Sequence, residues 1–216
     1  MALATWWYED GQPEMALTAG MTVESPEGNN VLATVAGVPI KELRRRRAEG
    51  HRPYLISVDG EPAGYGWVAG QSCEIGELGL AFALPAGNRY LWDFATLPAF
   101  RGRGVYPALL SEIVRRECPP ATRLWIIHAP ENLPSGLGIT RAGFQAVAEL
   151  SFDDAGNAAL APVGPPERGQ AAAALLGLPL VHDQLDPCWA CGGCTCDHTP
   201  GAAGSCACAT IPGRGP

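Results

Sequence analysis

The sequence predicts an α/β fold in which a mixed β-sheet carries helices on both faces. The first observation behind this prediction is the order of segments. Short strand-like stretches joined by tight turns come first, and a strand, helix, strand, helix, strand succession follows over residues 88–152. The second is size, because 216 residues of which 47% are apolar can bury one sizeable core. Hairpins pair strands antiparallel and helical crossovers pair them in parallel, so the sheet is expected to be mixed.

The N-terminal segment, residues 1–30, is expected to be a polar, turn-rich lead outside the folded domain. Its strong packing residues are Trp6, Trp7 and Tyr8. Residues 38–49 then predict a helix that contains four successive arginines, 44–47. Because successive positions on a helix point in different directions, these arginines predict a solvated surface with one or two ion pairs. The alternative interpretation is a patch for anions or nucleic acid.

A predicted hairpin follows this helix. Residues 53–58 and 62–68 have strand character and flank the Asp59-Gly60 turn. Residues 74–84 predict one further strand, which would pair with a strand over residues 89–96. The sequence therefore predicts an antiparallel first half of the sheet.

The turn after residues 89–96 has the composition of an anion site. It reads Arg101-Gly102-Arg103-Gly104-Val105-Tyr106, and an amphipathic helix begins at its end. Two glycines let the backbone turn tightly and approach a ligand closely, and the start of a helix offers unpaired N–H groups to a phosphate. The alternative is that the turn is only a tight connection. The helix is expected to stop at Cys118-Pro119-Pro120.

Residues 123–127 predict a second buried strand, which is followed by a polar break and a weak helix. Gly143-Phe144 opens another strand, and residues 144–152 and 158–161 predict a last hairpin.

Two motifs in this order resemble the GNAT superfamily of acetyl-CoA-dependent N-acetyltransferases. Arg101 and Gly104 fit the first motif, in which Tyr106 departs from the usual Gly or Ala. Asn132 and the later Gly143-Phe144 fit the second, with Ser135 also at a matching place. The resemblance covers about residues 38–162. It implies a GNAT-like, mainly antiparallel sheet with a splayed central strand pair, in a domain that we place at residues 31–162.

The resemblance also implies where acetyl-CoA lies. The pantetheine arm would pair with backbone groups of Ala95, Thr96 and Leu97 in the gap of the splayed strands. The pyrophosphate would rest on N–H groups of the 101–106 turn, which comprises Arg101, Gly102, Arg103, Gly104, Val105 and Tyr106. Asn132 and Ser135 would line the pantetheine path. Asn132 is equally a good helix N-cap, and the two arginines of the turn could be exposed loop charges.

The activity implied is transfer of an acetyl group to a primary amine of a small molecule or a peptide. Asp93 is the candidate general base because it is the one carboxylate inside an apolar strand segment. Alternatively, Asp93 is a structural acid paired with a backbone N–H or an arginine. The base would then be Glu77 or a water chain. The place where many GNAT enzymes carry a proton-donating Tyr is Ile139 here. The competing class is therefore a catalytically inactive GNAT-fold module that binds acyl-CoA or responds to metal.

The C-terminal region predicts a separate metal function. Residues 163–180 form a linker with a short helix to about Leu176, and residues 181–216 form a Cys-rich tail. The candidate ligands are Cys188, Cys191, Cys194, Cys196, Cys206 and Cys208. Thiolates at such spacing favour zinc, with an iron–sulfur cluster as the competitor and a disordered thiol-rich tail as the remaining alternative. Cys73 and Cys118 are expected to be ordinary packing residues.

Charge and hydropathy limit the partners. A net charge of −7 argues against general affinity for nucleic acid and favours a cationic acceptor. No apolar run approaches the roughly 20 residues of a membrane span, and residues 1–14 lack the pattern of a secretory signal. The sequence therefore predicts a cytoplasmic protein without a membrane partner, and it is compatible with an oligomer.

Overall fold

The computed structural model describes residues 1–153 and 156–181. Within these residues the chain forms ten strands and five α-helices. In chain order they are β1 (Ala2–Trp7), β2 (Met21–Glu24), α1 (Asn30–Ala36), α2 (Ile40–Ala48), β3 (Arg52–Val58), β4 (Glu61–Ala69), β5 (Ser72–Ile75), β6 (Leu80–Ala83), β7 (Asn88–Thr96), α3 (Val105–Glu117), β8 (Arg123–His128), α4 (Leu133–Arg141), β9 (Gln145–Phe152), β10 (Ala158–Pro162) and α5 (Pro166–Leu176).

Eight of the strands form one sheet in the order β10-β9-β1-β8-β7-β4-β3-β2. The pair β7 and β8 is parallel, since α3 carries the chain from one to the other, and the other neighbours are antiparallel. The predicted mixed and mainly antiparallel sheet is confirmed.

The predicted position of the N-terminal segment is wrong. Strand β1 lies inside the sheet, paired with β8 on one side and β9 on the other. Leu3 and Trp6 are each 1% exposed, and the Thr5 hydroxyl donates to the Leu124 carbonyl at 2.8 Å. Since these partners lie more than a hundred residues away along the chain, local sequence gives no indication of them.

The predicted strand over residues 74–84 is also wrong. The segment instead folds back on itself, so that β5 and β6 pair as a separate two-stranded sheet. The reversal is made by a 3-10 turn at Gly76–Leu78, and Gly79 follows with a left-handed φ of 58°. Strand β7 consequently pairs with β4 instead of with this hairpin.

Helices cover both faces of the sheet, as predicted. Leu109 and Ile113 of α3 pack with Trp6 and Leu124 on one face. On the other face, Leu175 of α5 packs with a second set of strand residues that includes Leu3 and Trp125, and α1 and α2 pack against β3 and β4. No helix in the described part of the chain is long and apolar enough to cross a membrane.

Candidate active site

The centre of the sheet opens where β7 and β8 part. Their parallel pairing begins at Asn88 and Arg123 and ends at Leu91 and Ile126. Strand β7 continues to Thr96 beyond that point without a partner on this side. The gap is the splayed central pair that the resemblance implies.

A β-bulge in β7 lies at the start of this gap. Trp92 pairs with Trp67, and Ala95 pairs with Tyr65. Between these two pairs, Asp93 and Phe94 of β7 stand opposite one residue of β4. Asp93 has a left-handed φ of 49°. An extra residue bends and twists the strand that carries it, which turns β7 away from β8.

The residue opposite the bulge is Gly66, and only glycine fits there. A Cβ on Gly66 would lie 2.0 Å from the Phe94 ring. The aromatic side chain thus occupies the space that a side chain at position 66 would need, and this contact fixes where β7 bends.

Of the three residues whose backbone was expected to pair with the pantetheine arm, two already use their backbone groups in other hydrogen bonds. The Leu97 N–H donates to the Ala63 carbonyl at 2.9 Å, and by antiparallel alternation Ala95 likewise faces Tyr65. The backbone groups of Ala95 and the N–H of Leu97 are therefore used by β4, and the Leu97 carbonyl accepts the Phe100 N–H at 2.9 Å. Those of Thr96 face the gap, where its carbonyl accepts a hydrogen bond from Arg101 Nε at 3.3 Å.

The turn before α3 has an open backbone. Gly102 and Gly104 both have left-handed φ, 74° and 75°, and a Cβ on either would meet no atom within 4 Å. The first hydrogen bond within the helix runs from the Ala108 N–H to the Gly104 carbonyl. The N–H groups of Val105 and Tyr106 therefore have no acceptor within the helix. The two glycines are thus needed for the left-handed backbone of the turn, and the space before the helix is free for an anion.

The two arginines of this turn lie on its surface. Arg101 and Arg103 are both exposed, and the guanidinium of Arg103 lies over the Phe100 ring at 5.3 Å from the centroid. Both side chains can therefore move toward a phosphate without the loss of a buried contact.

Helix α4 supplies the opposite border of the gap. Asn132 caps it, since its Oδ1 accepts the Ser135 N–H at 3.2 Å, which confirms the capping interpretation of this residue. The Ser135 hydroxyl lies 3.3 Å from the Tyr106 hydroxyl. Burial raises the pKa of Tyr106 to about 12. Ile139 is buried in the core, so this position offers no proton donor.

Asp93 is paired with an arginine. Arg46 of α2 donates to its carboxylate, and the same guanidinium bonds Glu42 and lies over the rings of Trp67 and Trp92 at 5.2 and 4.5 Å. The Arg46 side chain is 11% exposed and that of Asp93 29% exposed. The geometry matches the alternative of a structural acid, because protonation of Asp93 would break this ion pair. Its role as general base stays a prediction.

The successive arginines of α2 have different environments. Arg45 has the predicted solvated position, with ion pairs to Glu42 and Glu49 on the helix surface. Arg46 does not, because its guanidinium is packed beneath the helix on two indole rings. The sequence pattern could not distinguish them, since only the packing of α2 on the sheet decides which position faces inward.

A cavity of about 1030 Å³ reaches the splay from the face that carries α2. Tyr90, Leu91 and Trp92 of β7 and Ile127 of β8 lie at its base. Arg45, Glu49 and His51 line one side, and the β5–β6 hairpin lines the other. Asp93 also borders the cavity, so the cavity meets the gap at the bulge.

His51 belongs to this cavity and was not found from the sequence. Its Nε2 lies 3.2 Å from the Ser72 carbonyl oxygen, and its ring contacts the Trp92 ring edge-on at 5.1 Å between centroids. Burial lowers the pKa of His51, which favours the neutral imidazole. A single histidine in a loop carries no pattern, so only its tertiary contacts identify it.

The predicted metal ligands, Cys188 to Cys208, lie outside the described residues. Among the residues that the structure does describe, no group of three or more His, Cys, Asp or Glu side chains is arranged to hold a metal. Cys73 and Cys118 pack against hydrophobic clusters, as predicted, and burial raises the pKa of each thiol to about 11.

Comparison with known families agrees with this architecture. Residues 21–144, more than half of the chain, match the model of the acetyltransferase (GNAT) family. The chain therefore belongs to the GNAT acetyltransferase family.

Solved structures are similar to the chain at low identity. A GCN5-related N-acetyltransferase from Kribbella flavida is 16% identical with a TM-score of 0.47, and the match covers 67% of this chain and 53% of that one. The ribosomal-protein-S18-alanine N-acetyltransferase from Escherichia coli is 16% identical with a TM-score of 0.46, over 62% of this chain and 83% of that one. This chain thus spans about half the length of the Kribbella protein. No curated protein matches the sequence.

Proposed function

We propose that the protein transfers an acetyl group from acetyl-CoA to a primary amine. The observation that carries this proposal is the gap between β7 and β8, which begins at the bulge and meets the cavity there. The gap between β7 and β8 can hold the thioester, while an amine reaches it from the cavity. Holding two reactants in line supplies much of the rate enhancement in such a transfer.

The donor would occupy the gap and the turn before α3. The Thr96 N–H would pair with the pantetheine arm, as would its carbonyl once Arg101 releases it, and the N–H groups of residues 101–106 would bind the pyrophosphate. Asn132 and Ser135 would line the path between them. The open space in front of Gly102 and Gly104 supports this fit, because a ligand can reach the backbone directly.

The chemistry requires two proton transfers. The ammonium group of the acceptor first loses a proton to a base in the cavity, and the free amine attacks the thioester carbonyl carbon. A C–N bond forms, the C–S bond breaks, and the second amine proton reaches the departing thiolate. Net donation by Tyr106 is uphill, because its pKa of about 12 lies above that of a thiol, about 8.5, whereas a water can relay the amine's own proton to the sulfur.

Calorimetric titration of acetyl-CoA tests the donor site. We expect wild-type protein to bind, and Gly104→Val to weaken binding at least about tenfold, since a branched residue is strained at left-handed φ and distorts the turn. Gly177→Val is the matched control. Gly177 ends α5 with φ 65° and open space around it, so its replacement introduces similar strain far from the site. Absence of binding by wild-type protein, or equal binding by all three, would contradict the proposal.

A catalytically inactive binding module is the second candidate. The buried Ile139 in place of a proton donor favours it. Release of free thiol from acetyl-CoA in the presence of a panel of primary amines separates the two functions. Tight acetyl-CoA binding without thiol release would favour the binding module, and amine-dependent release would favour the enzyme.

A further inference from the structure

The charge of the cavity indicates which amines it accepts. Four carboxylates line it, those of Glu49, Glu74, Glu77 and Asp93, against the single guanidinium of Arg45. A cavity with one dominant sign of charge concentrates ligands of the opposite sign. This excess of negative charge favours a cation with more than one positive group.

Two of these carboxylates are already compensated. Glu49 accepts two hydrogen bonds from Arg45, and Asp93 is paired with Arg46. Glu74 and Glu77 differ from them, because neither side chain forms a hydrogen bond or ion pair with any residue in 1–153 or 156–181, and both are exposed. Of the two, Glu77 lies in the turn at the tip of the hairpin. An uncompensated carboxylate at the edge of a cavity is available to a ligand.

Aromatic residues line the same cavity. Tyr90 is buried at the base of the cavity, its ring edge-on to Phe82 at 5.2 Å, and Trp92 follows two residues along β7. Burial raises the pKa of Tyr90, with smaller contributions from Cys73 and Glu77. Aromatic faces and a carboxylate together bind organic ammonium groups.

The size of the cavity sets a distance between its two ends. Glu77 lies in the turn that joins β5 and β6, Asp93 lies at the bulge of β7, and both line the cavity. A roughly spherical cavity of about 1030 Å³ is about 12 Å across, so its two ends lie on the order of 10 Å apart. A ligand that reaches both therefore needs nitrogens about 10 Å apart.

We propose that the acceptor is a dicationic amine: one nitrogen is acetylated at the bulge, and the second, still charged, is bound by Glu77 in the part of the cavity that Tyr90 and Trp92 line. This inference rests on the proposed acetyl transfer. It assigns the β5–β6 hairpin as the element that selects the acceptor.

Kinetics with matched amines test the inference. The probes are 1,7-diaminoheptane, with two charges, and 1-aminoheptane, which has the same carbon chain and one charge. We expect wild-type protein to show a KM for the diamine at least about tenfold lower, as a charge-assisted hydrogen bond supports. Glu77→Gln is expected to remove that difference by raising the diamine KM, with kcat and the KM of the monoamine unchanged. Added salt should also reduce the difference.

Glu61→Gln is the control, because Glu61 is an exposed carboxylate of β4 outside the cavity and its loss changes net charge equally. Equal KM values for the two amines in wild-type protein would overturn the inference while leaving acetyl transfer intact. A fall of kcat for both amines in Glu77→Gln would also overturn it, since Glu77 would then be the general base.

Binding of hexamethonium separates this inference from the proposed function. This bis-quaternary cation cannot be acetylated, so its calorimetric titration is independent of turnover. If wild-type protein binds acetyl-CoA but acetylates neither amine, acetyl transfer is wrong. Weaker hexamethonium binding by Glu77→Gln would then still support a dication site, whereas equal binding by both proteins would overturn it.

Discussion

Arg46 connects helix α2 to the bulge through a single side chain. Its guanidinium bonds Glu42 on the same helix and Asp93 on β7, and it stacks on Trp67 and Trp92. Arg suits this position because its planar group can accept aromatic stacking and donate in-plane hydrogen bonds at once. The interaction holds Asp93 in its left-handed conformation and fixes one side of the cavity.

Glu117 is a second charged residue that is buried in a network of hydrogen bonds. Its side chain is 1% exposed and accepts hydrogen bonds from Arg52, Arg89 and the Tyr54 hydroxyl. We expect Glu117→Ala to lower the free energy of unfolding by about 3 kcal/mol, because it leaves buried donors without an acceptor. Urea denaturation followed by circular dichroism measures the change.

The control for this prediction is Glu49→Ala. Glu49 pairs with Arg45 on the helix surface, where both side chains are largely exposed. Solvent screens such pairs, so its removal is expected to change stability by less than about 0.5 kcal/mol. Similar losses in both variants would show that the Glu117 network contributes no more than a surface pair.

At the scale of elements, the contact between α3 and α4 depends on the absence of a side chain. Glycine is a poor helix former, and Gly138 lies within α4. A Cβ on Gly138 would lie 2.5 Å from the Tyr106 ring. The Tyr that replaces the small residue of the family motif is thus accommodated by a glycine on the neighbouring helix.

Gly138→Ala should therefore destabilise the protein although it raises helix propensity. Propensity alone would add about 1 kcal/mol of stability. Overpacking against Tyr106 is expected to outweigh this gain and leave a net loss of about 1–2 kcal/mol. In a background of Tyr106→Ala the same change should become neutral or stabilising, since the clash is gone. Urea denaturation of the four proteins in this cycle gives the coupling, and an additive result would contradict it.

At the scale of the whole molecule, the N-terminal segment and helix α5 are in direct contact. Arg168 of α5 bonds Asp10, and the Trp7 ring lies within 4.2 Å of the Arg123 guanidinium and 4.5 Å of that of Arg168. The segment predicted as an N-terminal lead and the helix predicted as part of a linker therefore pack into the same body as the family domain.

The Cys-rich tail gives the last prediction. If residues 188–208 bind zinc, protein purified anaerobically should contain the metal, and Cys191→Ser with Cys194→Ser should lose most of it, because thiolates are the ligands. Cys118→Ser is the control, since that thiol packs against the core. Elemental analysis for zinc and iron is the measurement. Absence of both metals from the wild-type protein would remove the hypothesis.

Much of the site could be predicted because its determinants are local. The spacing of apolar residues in α3 and the glycines of the turn before it determine a helix and a turn irrespective of what surrounds them. The same is true of the Asp59-Gly60 hairpin, whose turn has left-handed φ at both residues. These short-range preferences, with two motifs in register, were sufficient for the fold class and for the conformation of this turn.

Only the tertiary structure decided the rest, because those features depend on contacts between residues far apart in the chain. The central place of β1 results from pairing with strands that lie more than a hundred residues later. The ion pair of Asp93 with Arg46 and the cavity beside the hairpin likewise bring separate segments together. Such contacts leave no periodic pattern in the sequence. The sequence thus determined a GNAT fold and the glycine turn before α3, and the folded chain determined the charge and shape of the cavity at the bulge.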